Sequence, residues 1–114
     1  MFFRKKKKPV PDVAFTYPQS EDYRGFKRIK LSSYGYKPAE DGIQALTGKD
    51  LSRSNINISI YMDDSPRAMV SVNGTAVGTI WKHSFDKFTT LKNGKIAAVR
   101  VEIRDGESYL FYKA

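Results

Sequence analysis

The dipeptide Asn73-Gly74 lies between two stretches of alternating apolar and polar residues, and it constrains the fold more than any other feature of the chain. A type I′ turn needs positive φ at both central positions, which Asn and Gly accept, so the sequence predicts a two-residue β-hairpin. In the simplest register of that hairpin, Val72 faces Thr75 and Val70 faces Val77. The chain is therefore expected to form antiparallel strands on both sides of this turn.

A second hairpin is predicted around Asp105-Gly106, where Arg104 would face Glu107. One face of this hairpin is apolar and is assigned to the core. The opposite face mixes charged and aromatic residues, namely Arg100, Glu102, Arg104, Glu107, Tyr109 and Phe111. Such a surface can stack bases and follow phosphates. The alternative is that Tyr109 and Phe111 pack beneath the N-terminal segment while the ion pairs stay solvated.

The remaining elements follow from periodicity and from turn signals. Alternation predicts strands over residues 26 to 32 and 55 to 62. The second strand has one apolar face, with Ile56, Ile58, Ile60 and Met62, and one polar face, with Asn57, Ser59 and Tyr61. A short helix is predicted from Pro38 to Gly48, and Ser84 is predicted to cap another that carries Phe85 and Phe88. Trp81 ends a strand and is interpreted as a core or core-edge aromatic, with a role as a contact residue as the alternative. The predicted fold is mostly β with one or two short helices, a small antiparallel barrel-like sheet.

The first 22 residues are predicted to form a basic, extended arm that Pro9, Pro11 and Pro18 keep irregular, with a single domain over residues 23 to 114. Five of the 20 basic residues, Arg4 and Lys5 to Lys8, precede the first acid, Asp12. The remaining chain has 15 basic and 12 acidic residues, so its net charge is +3 against +8 for the whole. This arm is either a solubilising or linker remnant or a phosphate-seeking segment for nucleic acid or an anionic membrane.

The residues that most catalytic and metal sites require are scarce. The chain has no cysteine and one histidine, His83, and it lacks a Gly-x-Ser-x-Gly elbow and a phosphate-cradling glycine loop. Asp63-Asp64 is interpreted as part of a turn, not a metal site. We therefore expect no enzyme, no cofactor and no metal. No stretch has the length of a membrane span or of a secretory signal, so a cytoplasmic location is expected.

The segment "RAMVSVNGTAVGTIWKHSFDKFTTL" resembles the middle of a HIRAN domain, and the likeness covers about residues 55 to 104. Residues Ala68, Met69 and Val72 match the family's first strand, and Asn73-Gly74 match its turn. The second strand is matched by Val77, Gly78 and Ile80, the helix by Ser84 to Leu91, and the closing strand by "GKIAAVRVEI".

This resemblance implies a small, mostly β barrel-like module that occurs alone in bacteria and is fused to DNA-remodelling enzymes in eukaryotes. It implies binding of single-stranded DNA and, in one type, capture of a free 3′ end. The chain departs from the family at Asp64, which sits one place differently from the family's aspartate. The aromatic residue beside that aspartate has no counterpart here.

Two hypotheses of function follow. The first is a non-catalytic module that binds single-stranded DNA, with basic residues on phosphates and tyrosines stacking on bases. Its candidate contact residues are Arg24, Lys27, Arg28, Lys30, Tyr34, Tyr36, Arg67 and Lys82. The second is a protein-interaction or accessory module, of a phage or mobile element for example, that pairs with a partner through a sheet edge. Under it, the basic strand from Arg24 to Lys30 is simply a solvated face.

Overall fold

The structure is a computed structural model, and it describes residues 10 to 114. Within that range the chain forms seven strands and two helices. The strands are β1 (Val13–Pro18), β2 (Lys27–Lys30), β3 (Asn55–Tyr61), β4 (Arg67–Val72), β5 (Thr75–Trp81), β6 (Ala98–Arg104) and β7 (Glu107–Lys113). The helices are α1 (Lys37–Leu46) and α2 (Phe85–Lys92). A mostly β fold with two short helices is thereby confirmed.

The strands form two antiparallel sheets, with the orders β1-β3-β4-β5 and β2-β7-β6. Alternation places the apolar side chains of each strand on one face, and these faces enclose the core. Its fully buried members include Ile56, Ile58, Ile60, Val70, Val99, Val101 and Leu110. Phe88 and Leu91 of α2 close one side of this core.

The two sheets meet at isolated bridges rather than through continuous ladders. Gln19, just after β1, bridges Val99 of β6, and Ser32, just after β2, bridges Thr79 of β5. The buried Gln19 side chain extends the first junction, because its Nε2 donates to the Val101 carbonyl at 2.8 Å and its Oε1 accepts from the Val101 amide at 2.9 Å. The arrangement is barrel-like only in a loose sense.

The prediction that prolines keep residues 1 to 22 irregular is wrong for Val13–Pro18, which form β1 and pair with β3 from Val13↔Ile60 to Pro18↔Asn55. Proline is tolerated at the ends of an edge strand, and Pro18 is the last residue of β1. The side chains of Val13, Phe15 and Tyr17 pack against the core. Their alternation along the chain is typical of a strand, and the prediction from the prolines did not take it into account. The basic run of the predicted arm lies outside the described residues.

Both predicted tight turns are present. Asn73 and Gly74 have φ of 49° and 85°, and Asp105 and Gly106 have φ of 52° and 76°, as a type I′ turn requires. Val72 pairs with Thr75, and Arg104 pairs with Glu107, as predicted.

The predicted pairing of Val70 with Val77 is wrong, because β5 contains a one-residue irregularity. The register shifts between Val70 and Ser71, so that Val70 faces Gly78. A one-residue bulge moves every later side chain of the strand to the other face of the sheet. Trp81, interpreted from sequence as a core or core-edge aromatic, consequently lies opposite Arg67 and is 36% exposed.

Helix α1 has Pro38 in its first turn, as predicted, and buries Gly42 and Ile43. A Cβ added to Gly42 would lie 1.9 Å from the carbonyl oxygen of Ala76, so this glycine allows α1 to approach β5 closely.

Three details of the helix and strand ends differ from expectation or refine it. Met62 falls beyond β3 and is exposed, and so does not extend the face of the three isoleucines. Ser84 is the N-cap of α2 but makes no capping bond with its side chain. Of the two predicted phenylalanines of α2, Phe88 is buried and Phe85 is exposed.

In residues 10 to 114 no helix is both long and apolar enough to cross a membrane.

Candidate functional site

Tyr61, Arg67 and Trp81 form a row across three neighbouring strands. Arg67 of β4 pairs directly with Tyr61 of β3 on one side and with Trp81 of β5 on the other. Directly opposed residues in antiparallel strands have Cβ atoms about 4.5–5.5 Å apart and share a face of the sheet. The row lies on the face opposite the core, because the neighbouring residues Ile60, Ala68 and Ile80 are the buried ones.

A loop over residues 32 to 36 stands beside this row. Its start is fixed to β5 by two backbone hydrogen bonds of 2.9 Å between Ser32 and Thr79, one in each direction. Gly35 has φ of 77°, and the Tyr36 amide donates to the Ser33 carbonyl at 3.1 Å, which makes the loop a tight turn. Tyr36 is also the N-cap of α1, so the close contact of α1 with β5 holds the end of the loop.

Together the row and the loop form a groove of about 520 Å³. The groove is lined by Ser32, Tyr34, Gly35, Tyr36, Tyr61, Arg67, Met69, Thr79 and Trp81. Four of these nine residues are aromatic, and Arg67 is the one ionisable cation among them. Tyr34 is 94% exposed, so its ring is available to a ligand without any change of the fold.

Arg67 is held in place from two sides. Its guanidinium carbon lies 4.5 Å from the centre of the Tyr61 ring, within the range of a cation–π contact. Its Nη1 donates to Asp63 Oδ1 at 2.7 Å and to the Ser65 carbonyl at 2.8 Å. The Ser65 amide and the Arg67 guanidinium lower the pKa of Asp63 below its ordinary value, so this carboxylate is ionised at neutral pH.

The groove adjoins two shallower depressions, and it shares lining residues with each of them. One, of about 300 Å³, shares Ser32 and Tyr34 with the groove and is also lined by Lys30 and Glu107. Another, of about 440 Å³, shares Trp81 and is also lined by Lys82 and His83. The surface path therefore runs from a lysine, across the aromatic groove, to a second lysine.

Five of the eight sequence-predicted contact residues lie on this path: Lys30, Tyr34, Tyr36, Arg67 and Lys82. Lys30 pairs with Glu107 at 2.8 Å, and hydrogen bonding to that carboxylate raises the pKa of the lysine. Both side chains are largely exposed, and exposed ion pairs contribute little to stability because water screens the two charges. Lys30 therefore remains a charge that another anion can engage.

The other three predicted residues, Arg24, Lys27 and Arg28, line neither the groove nor its two depressions. Arg24 pairs with Asp22 at 3.2 Å in an exposed turn. Lys27 begins β2, and Arg28 lies on the outer face of the smaller sheet, with its guanidinium carbon 5.3 Å from the centre of the Tyr109 ring. The structure thus does not bring all the predicted cations to one surface.

The charged and aromatic face of the last hairpin is partly covered. The ring of Tyr23 contacts Phe111 edge-on, with 5.2 Å between the ring centres, and Phe111 is buried. Arg100 lies over Tyr23 at 4.6 Å and donates to Glu102 at 2.8 Å. The alternative prediction, in which these aromatics pack beneath the N-terminal segment, describes Phe111 better than a base-stacking role does.

Sequence reasoning missed Tyr61 as a member of the site, and it gave a contact role for Trp81 only as the alternative to a place in the core or at its edge. The alternation in β3 correctly predicts Tyr61 on the polar face of the strand. The alternation does not indicate that a loop lies beside that face and forms a groove with it. For Trp81 the bulge in β5 was the missing information, since an unbulged strand directs this side chain inward.

Metal or acid–base chemistry in residues 10 to 114 would depend mainly on carboxylates, because the chain has one histidine and no cysteine. Within residues 10 to 114 no group of three or more His, Asp or Glu side chains is placed to hold a metal ion. Each carboxyl pKa that is shifted there is lowered, including those of Asp22, Asp50, Asp63, Glu102 and Glu107. A general acid at neutral pH needs a raised pKa instead. That the chain is not an enzyme stays a prediction.

No family model, curated protein or solved structure matches this chain. The resemblance to HIRAN domains therefore remains a prediction from the residues between 55 and 104.

Proposed function

We propose that this domain is a non-catalytic module that binds single-stranded DNA along the path from Lys30 to Lys82. The observation that supports this most strongly is the row Tyr61–Arg67–Trp81, which lines one groove together with Tyr34 and Tyr36. Proteins that bind single strands combine aromatic rings, on which successive bases stack, with cations that follow the backbone. The groove supplies the rings, and the lysines in the two adjoining depressions supply the cations.

The aromatic lining of the groove suits a nucleic-acid strand better than a cationic ligand. A pocket lined by several aromatic rings can also bind a quaternary ammonium group. Here the guanidinium of Arg67 already occupies the face of Tyr61, so that ring is not free to bind a second cation. A nucleic-acid strand fits this groove better than a quaternary ammonium group does. The groove is lined by exposed rings and by no Asp or Glu side chain, and a lysine lies in each adjoining depression.

The HIRAN resemblance points to the same ligand class, and under this proposal the module acts on DNA inside the cell, in the cytoplasm. The alternative is a protein-interaction module that pairs through a sheet edge. β1 and β2 are outer strands of their sheets, but each continues into a bridge to the other sheet at Gln19 or Ser32. These bridges shorten the edges that a partner strand could use, so we favour the groove.

The test is a fluorescence-anisotropy titration of labelled dT12 with a full-length variant in which Arg4 and Lys5 to Lys8 are replaced by Gln. This variant removes the five charges of the basic run, so any remaining binding belongs to the body of the protein. We expect salt-sensitive binding that persists in it. Trp81→Ala should weaken binding by roughly fivefold or more, because stacking is worth about 1–3 kcal/mol per base.

Two matched controls separate the groove from general surface effects. Phe85→Ala removes an exposed ring on α2 that does not line the groove, and it should leave binding unchanged. Lys82→Gln should reduce the salt dependence by about 0.7 in the slope of log K against log salt, whereas Lys87→Gln on α2 should not. Loss of all binding with the tail charges would overturn the proposal. Equal binding of rU12 and dT12 would extend the ligand to RNA.

A further inference from the structure

Arg67 has hydrogen-bond donors that the protein itself does not use. A guanidinium has five N–H donors, and the two on Nη1 are taken by Asp63 and by the Ser65 carbonyl. Nε and Nη2 make no hydrogen bond to any residue from 10 to 114. In the same range no side-chain nitrogen is buried without a partner. The free edge of the guanidinium therefore reaches solvent, although the side chain is only 15% exposed.

The surroundings of this edge suit a neutral acceptor better than a phosphate. The Asp63 carboxylate at 2.7 Å already balances the charge of Arg67. Asp64 lies next to it and lines the same depression as Asp63, Ser65, Arg67 and Trp81. A phosphate placed on Arg67 would meet the repulsion of two carboxylates, whereas an uncharged base would not. Lys30 and Lys82, in the two adjoining depressions, are better placed to contact the phosphates.

One base has the acceptors that fit such an edge. Guanine presents O6 and N7 side by side, and an arginine that donates to both makes the commonest specific contact between proteins and bases. The contact of Arg67 with Tyr61 and its bonds to Asp63 and Ser65 hold the fork in one orientation. Trp81, directly across from Arg67, offers a ring surface next to that fork.

We propose that the groove prefers guanine at the position beside Arg67, with Nε and Nη2 donating to O6 and N7 of the base. This inference rests on the proposed binding of a single strand. Its failure leaves that function intact if strands bind without preference. Because the paired donors discriminate against other bases, we expect guanine-containing strands to bind roughly fivefold or more tightly than strands without guanine.

The test compares unlabelled d(TG)6, d(TA)6, d(TC)6 and dT12 as competitors of labelled dT12 for the full-length protein. A fifth competitor has 7-deazaguanine in place of guanine, which removes N7 and nothing else from the acceptor edge. We expect d(TG)6 to compete best and the 7-deazaguanine strand to lose that advantage. This comparison uses the unaltered protein, so it does not depend on whether a variant folds.

The variant Arg67→Lys keeps the positive charge but lacks the paired donors of the guanidinium. If Arg67 reads guanine, this variant loses the preference while its affinity for dT12 changes little. If Arg67 instead contacts phosphate, wild type shows no preference, and the variant weakens all strands by the same factor. That second result overturns the inference but not the proposed function. Absence of binding to every strand overturns both.

Discussion

The guanidinium of Arg67 lies over the ring of its cross-strand neighbour Tyr61, with 4.5 Å between the guanidinium carbon and the ring centre. The two residues come from adjacent strands, which are joined by a loop that contains Asp63 and Ser65. The Asp63 carboxylate and the Ser65 carbonyl each accept a hydrogen bond from Arg67. A long, flexible side chain is thereby held in one place before any ligand arrives. Such preorganisation lowers the entropy that binding must remove.

Tyr34 allows the groove to be tested without disturbing the fold. Its side chain is 94% exposed, so Tyr34→Ala should leave the melting temperature unchanged. If its ring stacks on a base, the same variant should bind dT12 roughly fivefold or more weakly, since alanine substitutions at stacking sites remove about 1–3 kcal/mol. Anisotropy and thermal melting measure the two effects separately. Unchanged affinity would remove Tyr34 from the site.

Gln19 tests whether the segment before residue 23 belongs to the folded domain. Gln19→Ala leaves the amide and carbonyl of Val101 without their side-chain partners at a buried position. We expect the free energy of unfolding to fall by about 1–3 kcal/mol, which is the penalty for an unpaired buried polar group. Urea denaturation measures it, with Gln44→Ala on the exposed side of α1 as the control. Equal stability of the two variants would argue against this junction.

Gly42 tests the approach of α1 to β5. Alanine is the better helix former by about 1 kcal/mol, so propensity alone predicts that Gly42→Ala stabilises the protein. The added Cβ would lie 1.9 Å from the Ala76 carbonyl oxygen, which forces the helix away from the sheet. We expect a net loss of about 1–3 kcal/mol in urea denaturation. A gain in stability would show that the helix and strand are further apart than described.

Glu102 should make stability depend on pH at the acidic end. Burial of its carboxylate raises the pKa, but hydrogen bonds from Arg100 and Arg104 outweigh this, so the pKa lies below its ordinary value of 4.5. A lowered folded-state pKa stabilises the protein above the unfolded-state pKa, and this contribution is lost as pH falls through the folded-state value. The stability difference between wild type and Glu102→Gln should therefore be largest near neutral pH and shrink in acid.

Urea denaturation at a series of pH values measures this difference. Glu21→Gln is the control, because Glu21 is exposed and forms no ion pair with any residue from 10 to 114. It should follow the wild-type pH profile. A difference for Glu102→Gln that stays constant from neutral to acidic pH would contradict the described ion pairs.

The hairpins were predictable because their signals are local. Asn73-Gly74 and Asp105-Gly106 are favourable only in tight turns with positive φ, and alternation then assigned inward and outward faces over most of β3, β4, β6 and β7. The bulge in β5 has no such signal in the chain. It changes the register by one residue, and so the orientation of Trp81 could not be derived by counting from the turn.

The candidate site was predictable only in part, for a related reason. Lys30, Tyr34, Tyr36, Arg67 and Lys82 were selected as basic or aromatic residues beside predicted strands. These residues lie on one surface because the bridge between Ser32 and Thr79 joins segments that are distant in sequence. Gly42 is a poor helix former, yet its lack of a side chain is what lets α1 approach β5 and hold the loop against the sheet. Contacts between distant segments leave no periodic pattern.

The most direct test of the central claim uses the intrinsic fluorescence of Trp81, the single tryptophan of the chain. Because Trp81 lines the groove, a strand bound there should quench its emission saturably as dT12 is added, with the same midpoint as the anisotropy titration. The full-length protein serves for both measurements. Binding detected by anisotropy while the tryptophan emission stays unchanged would contradict the account, because the DNA would then be held somewhere other than the groove.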